Sequence, residues 1–202
     1  VYQSDNSGGG PKKMHDPGIK TVNFISDSLP FPSAPLDTVF AKMKNALSSG
    51  TYDSNALQGN AVITGSRDSI LRWPCVMVVG DCEFRNSAVA DKIILSNGEI
   101  ILGDSVTAVS CMFMAKKMTV RGGSTENCLL YSSGKMLLSG GAHDSQFFSE
   151  DSIVVGKNAS FGAMTLLVSR KNIARSKSDT VPHGGIYYEE AGTFTGCALC
   201  YS

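Results

Sequence analysis

Few side chains in this sequence have the type and spacing that catalysis requires. His143 is the best candidate, because it precedes Asp144 and an imidazole beside a carboxylate can act as a general base. The signatures of a serine nucleophile elbow, a P-loop, a zinc protease and a dinucleotide-binding loop do not occur. We therefore predict no catalytic residue, interpret His143 as a polar residue at a corner, and keep it as the one residue to test.

Hydroxylated side chains form a second candidate site, for a ligand. Ser105, Thr107 and Thr125 are expected on one outward face together with His143. A flat face of small hydroxylated residues can bind a glycan or another repeating surface. The alternative interpretation is an ordinary polar exterior.

The six cysteines do not form a recognisable metal site. Cys197 and Cys200 make a lone C-x-x-C, with no second pair or histidine partner at zinc spacing. We predict neither a metal nor a cofactor. The central cysteines are expected to be reduced and buried, and the alternative is a disulfide between Cys111 and Cys128 on neighbouring coils.

Composition excludes several classes of protein. The chain has 202 residues, with 18 basic and 18 acidic side chains, so it lacks the basic field that a nucleic-acid binder needs. No apolar run approaches the roughly 20 residues of a membrane helix, so we expect no membrane insertion by this segment. The polar leader without an initial Met favours an extracytoplasmic location.

A six-residue repeat dominates the middle of the chain. Every sixth residue from Ile70 to Leu166 is hydrophobic except Ser124 and Ser160, whereas the series that starts at Trp73 is mainly polar. Three such segments make a coil of about 18 residues, so Ile94, Met112 and Leu130 should form one interior column. The predicted corners are residue types that tolerate a left-handed backbone: Gly80, Asn86, Gly98, Asp104, Gly122, Gly134, Gly140 and Asn158.

The outer face of the first side is too apolar to contact water. Its predicted contact residues are Leu95, Phe113, Tyr131 and Phe147. The same face is expected to carry Cys75 and Cys111, whereas Cys82 is expected in the core. An amphipathic helix over residues 36–48 is the expected cover, because Leu36, Val39, Phe40, Met43 and Leu47 have helical spacing. Where the helix does not cover this face, we expect a protein partner or self-association.

The repeat resembles two families of three-sided parallel β-helix. Hexapeptide-repeat acyltransferases are left-handed, and the resemblance implies a histidine in a cleft between subunits. Bactofilins, a cytoskeletal family, are right-handed, and glycines at corners favour that hand. Pectate-lyase-like β-helices carry clustered acids on one outward sheet, for which Asp81, Glu83 and Glu99 are the candidates here; without stacked basic partners we interpret them as a solvated edge.

The sequence thus predicts an all-β fold: a single-stranded, three-sided, right-handed parallel β-helix with an N-terminal amphipathic capping helix. Residues 1–35 are a flexible leader and extended connector, 36–60 the helix and link, and 61–202 the β-helix. Its closure is irregular from about residue 169, with strands at Ile186–Tyr188 and Thr193–Tyr201. The predicted function is a non-enzymatic scaffold or interaction domain of a larger assembly. The alternatives are a carbohydrate-active or acyl-transferring enzyme and a self-assembling, bactofilin-like structural protein.

Overall fold

The chain folds into a parallel β-solenoid with three walls, as the sequence predicts. The computed structural model describes residues 38, 40–42, 44–45, 56–65, 69–170, 185–189 and 193–201. All strand pairs among these residues are parallel. The leader predicted over 1–35 lies outside the described residues.

Each coil contributes one short strand to each wall. Wall A contains β1 (Ala56–Gln58), β3 (Cys75–Val79), β6 (Ile93–Ser96), β9 (Met112–Ala115), β12 (Leu129–Ser132) and β15 (Gln146–Ser149). Wall B contains β2 (Ala61–Thr64), β4 (Cys82–Arg85), β7 (Glu99–Leu102), β10 (Lys117–Val120), β13 (Met136–Leu138), β16 (Ser152–Val155) and β18 (Gly185–Tyr188). Wall C contains β5 (Ala88–Ala90), β8 (Thr107–Val109), β11 (Ser124–Glu126) and β14 (Gly141–His143).

Three further elements complete the solenoid. A short 3-10 helix, Ser69–Arg72, precedes β3, and Leu71 within it is buried against the core. β17 (Ser160–Arg170) runs from wall C into wall A, and β19 (Thr193–Tyr201) pairs along it. β18 and β19 confirm the two strands predicted near the end of the chain.

The interior consists of side chains stacked one coil above another. On wall B, Cys82, Ile100, Met118 and Met136 stack at intervals of 18 residues, as predicted. On wall A, however, the partner of Ile94 and Leu130 is Phe113, so the prediction for Met112 is wrong. The complete wall A column is Val76, Ile94, Phe113, Leu130, Phe147 and Leu167.

The six-residue step is an average of unequal steps, which explains this error. The chain takes eight residues from Ile100 on wall B to Ala108 on wall C and five from Ala108 to Phe113 on wall A, which is one more than two steps of six. A constant step therefore slips on wall C, where a slip of one residue reverses inside and outside. Seven of the predicted interior positions are wrong for this reason. Three are exposed: Ala88, Ser124 and Ser160. Three are half-buried, namely Met112, Val154 and Leu166, and Phe148 is buried on the outer face of wall A.

The tight turn occurs at the corner between walls C and A, where one residue per coil has a left-handed backbone. Asp91, Ser110, Asn127 and Asp144 have φ between 50° and 55°, and Met164 has φ of 63°. Asn and Asp tolerate this conformation better than most residues. Among the predicted corner residues, only Gly80 and Asn86 have positive φ. The sequence thus located the corners but assigned the left-handed conformation mostly to the wrong ones.

Buried serines line the corner between walls A and B. Ser132 Oγ lies 3.0 Å from the carbonyl oxygen of Lys116 and accepts a hydrogen bond from the N–H of Gly134 at 3.2 Å. These bonds satisfy backbone groups that the turn withdraws from the strand ladder. Equivalent serines repeat along the solenoid: Ser96, Ser149 and Ser169.

An N-terminal helix packs on the outer face of wall A. Residues 38, 40–42, 44 and 45 are helical, which agrees with the predicted helix; its other positions lie outside the described residues. Phe40 is fully buried and makes edge-on contacts with Tyr131 and Phe148, with ring centroids 6.0 and 5.6 Å apart. Met114 and Val168 complete this outer cluster.

The predicted outer contact residues divide between two faces. Leu95 and Tyr131 do lie on the outer face of wall A, beside the helix. Phe113 and Phe147 point into the tube and belong to the main core, so their assignment to the outer face is wrong. Cys75 is exposed and Cys111 is buried at a corner, whereas Cys82 is buried in the core as predicted.

Truncating the true interior residue should cost far more stability than truncating its neighbour. Phe113→Ala removes a fully buried ring that packs edge-on against Phe84, with ring centroids 5.9 Å apart, and should lower the free energy of unfolding by about 3–5 kcal/mol. Met112→Ala should cost about 1 kcal/mol, because that side chain is only half-buried. Urea titration of both variants measures the difference, and a larger loss for Met112→Ala would contradict the assigned register.

Two adjacent glycines should respond oppositely to alanine. A Cβ at Gly140 would overlap the carbonyl oxygen of Gly123, so Gly140→Ala should destabilise by about 1–3 kcal/mol. A Cβ at Gly141 would lie 3.8 Å from Ser124 Cβ, an ordinary contact, so Gly141→Ala should stabilise by about 0.5 kcal/mol. Thermal unfolding of the two variants measures the difference in melting temperature. Equal shifts of the melting temperature would show that the corner at Gly140 is not closely packed.

Candidate functional site

His143 lies on the outer face of wall C and is exposed, as predicted. Its register neighbour on the coil below is Glu126. On the next coil, a Cβ at Gly162 would overlap the His143 ring, so the glycine provides the space in which the imidazole packs. The His143 ring therefore packs over Gly162, and Glu126 is its neighbour in the strand register.

The three candidate hydroxyl residues do not form one face. Thr107 is exposed on wall C, and Ser105 is exposed at the preceding corner with φ of 58°. Thr125 is only 1% exposed and points into the tube, so its predicted outward position is wrong. Its Oγ1 atom has no hydrogen-bond partner among the described residues. The cause is the one-residue slip on wall C.

The residues that lie in line with Thr107 are small, and all of them except half-buried Gly141 are exposed. Strand pairing places them in one column, one residue per coil. The periodic pattern had assigned two of them, Ser124 and Ser160, to the interior, because the steps from Met118 to Thr125 and from Ile153 to Phe161 are longer than six residues. The column, called here the flat column, consists of Ala88, Thr107, Ser124, Gly141 and Ser160.

A second column lies on the same face, two positions further along each strand. It contains Ala90, Val109, Glu126 and His143, so it is more varied than the flat column. The two columns together form a surface in which only Glu126 and His143 have long polar side chains. This geometry supplies a surface of mainly small side chains on a regular strand ladder.

A groove of about 440 Å³ runs beside this surface, along the corner between walls C and A. One side is polar, with Asp91, Ser110, Asn127 and Asp144 at the left-handed positions. The other side is apolar, with Ile93, Met112 and Leu129. Cys111 and Cys128 also line it, and both are buried.

Each carboxylate of the candidate acidic cluster on wall B has a hydrogen-bond partner within the chain. Glu83 forms a bidentate interaction with Arg85, with N–O distances of 2.8 and 2.6 Å, and this hydrogen bond lowers the pKa of Glu83. Glu99 accepts a hydrogen bond from Thr119 Oγ1 at 2.7 Å. Asp81 accepts one from the N–H of Glu99 at 2.8 Å. These contacts hold the three carboxylates in place along the wall.

Beneath the N-terminal helix, a polar chain borders the aromatic cluster. Tyr131 donates a hydrogen bond to Glu150 at 3.2 Å, and Glu150 forms an ion pair with Arg170 at 3.2 Å. Burial, together with the charge of Glu150, raises the pKa of Tyr131. The tyrosine therefore stays neutral and serves as a donor within this closed face.

Neither a metal site nor a membrane-spanning helix is found in the described part of the chain. No three His, Cys, Asp or Glu side chains there are grouped so that they could hold a metal ion. None of its helices has the length and hydropathy needed to cross a bilayer.

Comparisons of the chain with protein-family models, curated proteins and solved structures give no match. The fold therefore rests on the structure itself, and the choice among the resembling families stays a prediction.

Proposed function

We propose that this chain is a rigid β-helical scaffold whose wall C contacts another protein. The proposal depends mainly on Gly141, which is the first residue of β14 and lies half-buried in the flat column. Glycine weakens a strand and often marks a place where another backbone approaches closely. No neighbour in the described part of the chain requires a glycine here, because a Cβ would lie 3.8 Å from Ser124 Cβ and 4.0 Å from the Ser160 carbonyl oxygen.

The neighbouring glycines have internal reasons, which makes Gly141 distinctive. Gly140 adjoins the carbonyl of Gly123, and Gly162 leaves room for His143. Gly141 instead opens a shallow depression in the flat column, between Ser124 and Ser160. A second protein surface can approach the wall most closely at this point.

The stacked interior supports a mechanical role. Each wall is joined to the coils above and below by a continuous ladder, and the core runs without interruption from Ile63 to Ile186. Such a structure holds its outer side chains at a fixed spacing of about 4.8 Å from coil to coil. A partner therefore binds a preformed surface, and little conformational entropy is lost in ordering the scaffold on binding.

Site-specific photocross-linking in cells that naturally produce the protein tests the proposal. A photoreactive residue at Ser124 should give a discrete protein adduct, and the same residue at exposed Lys117 on wall B should give none. Gly141→Leu should abolish the adduct because it fills the depression, whereas Lys117→Leu is the matched control and should not affect it.

Three results would overturn this function. One is equal cross-linking from both walls, and another is an adduct that survives protease digestion, which would identify a glycan. The third is turnover of an acyl or sugar substrate that is lost in His143→Ala, which would establish the enzymatic alternative.

Self-association through the first coil is a second candidate, favoured by a specific observation. Val62 and Trp73 are 54% and 50% exposed; Val62 lies on β2, the edge strand of wall B among the described strands, and Trp73 shortly precedes β3. Large exposed apolar side chains at a sheet edge are typical of contact surfaces.

Light scattering combined with fluorescence tests this candidate. Trp73 is the sole tryptophan, so a rise in mass with concentration should be accompanied by a blue shift of its emission. Trp73→Lys should abolish both changes. A monomeric mass at high concentration, or a rise in mass without the blue shift, would count against association through the first coil.

A further inference from the structure

Two cysteine thiols are stacked on consecutive coils at the corner between walls C and A. The N–H of Leu129 donates to the carbonyl oxygen of Cys111 at 2.9 Å, which places Cys128 directly above Cys111. The Cys111 N–H also points at Cys128 Sγ, with a separation of 3.4 Å. Adjacent strands are about 4.8 Å apart, within the range of roughly 4.4–6.8 Å between Cα atoms joined by a disulfide.

We propose that Cys111 and Cys128 form an oxidation site that closes to a disulfide between consecutive coils when the protein meets hydrogen peroxide. In the first step the Cys111 thiolate attacks one peroxide oxygen, and a sulfenic acid and hydroxide result. In the second step Cys128 attacks the sulfenic sulfur, the S–S bond forms and water leaves. In total two thiols and one peroxide give one disulfide and two waters.

The surroundings of the pair support this order of events. The hydrogen bond between the two thiols lowers the pKa of Cys111 and raises that of Cys128, so Cys111 is the first to ionise. Both residues line the corner groove, which gives a small oxidant such as peroxide a route to them. Cys128 is then held in contact with the oxidised residue and resolves it.

The corner tolerates changes at these sulfurs, because hydroxyl residues occupy the same position on higher coils. Ser145 donates to the carbonyl oxygen of His143 at 2.9 Å, as Cys128 does to that of Glu126 at 3.2 Å. Thr165 takes this position on the following coil. A serine in place of either cysteine should therefore preserve the fold.

Cys82 is the natural internal control. It is fully buried in the wall B column, and burial raises its pKa to about 12. It should therefore stay unmodified at peroxide concentrations that oxidise Cys111 completely.

Peptide mapping after peroxide treatment of the full chain tests the proposal. Trypsin cuts after Lys92, Lys116, Arg121 and Lys135, so Cys111 and Cys128 fall in separate peptides, 93–116 and 122–135. After alkylation of the remaining thiols, these two peptides should be joined, and reduction should separate them. The protein should remain monomeric on a non-reducing gel, which excludes a bond between copies.

Cys111→Ser and Cys128→Ser should each abolish the linked peptide, whereas Cys82→Ser should not affect it. Circular dichroism verifies that each variant is folded. Separate peptides carrying sulfinic acid, or thiols that stay unmodified at oxidant levels that modify exposed Cys75, would overturn the proposal. So would a linked peptide in either serine variant.

Discussion

The whole structure depends on the hydrogen-bonded register between one coil and the next. Parallel pairing places each residue directly above its counterpart, so every position in the coil has like positions as neighbours. An interior position must therefore hold a side chain that packs well against a similar one above and below. Ile94, Phe113 and Leu130 satisfy this on wall A.

The corners require polar side chains instead of apolar ones, because turns remove backbone N–H and C=O groups from the strand ladder and leave them without partners. Two stacks of small polar side chains meet it, one on each side of wall A. Ser132 and its equivalents bind backbone groups where the chain enters wall B, and Cys111, Cys128 and Ser145 do so where it leaves wall C. A thiol and a hydroxyl can exchange in this position, so chemistry of the thiols is compatible with an intact solenoid.

The sequence was sufficient for the fold, the average coil of about 18 residues, the wall B column from Cys82 to Met136 and half of the wall A column. It was insufficient for most of wall C and for the rest of wall A, because the steps between walls vary from five to eight residues around their mean of six. The deviations cancel at Leu130 but leave an error of one residue at Phe113, Phe147 and Leu167. Thr125 was placed outside and Ser124 inside for this reason, whereas His143 was correctly placed on the exterior.

The left-handed corner residues and the groove could not be predicted from the same series. Asp91, Ser110, Asn127 and Asp144 are ordinary polar residues in sequence, and only the backbone identifies them as one stack. The stacking of Cys111 on Cys128 likewise depends on a coil of 17 residues at that point. A uniform repeat of 18 would have displaced the two sulfurs by one residue.

The outer faces of walls A and C show that one fold presents two different surfaces. Wall A carries large apolar side chains, and Phe40 of the N-terminal helix is inserted between Tyr131 and Phe148. Wall C carries small ones, and no described residue covers its flat column. If small residues on wall C served only to occupy a solvated exterior, long polar residues such as Lys117 and Lys135 on wall B would serve equally well. Gly141, the fourth of the five residues in this column, is not required by any described neighbour, and this supports the proposed contact with another molecule.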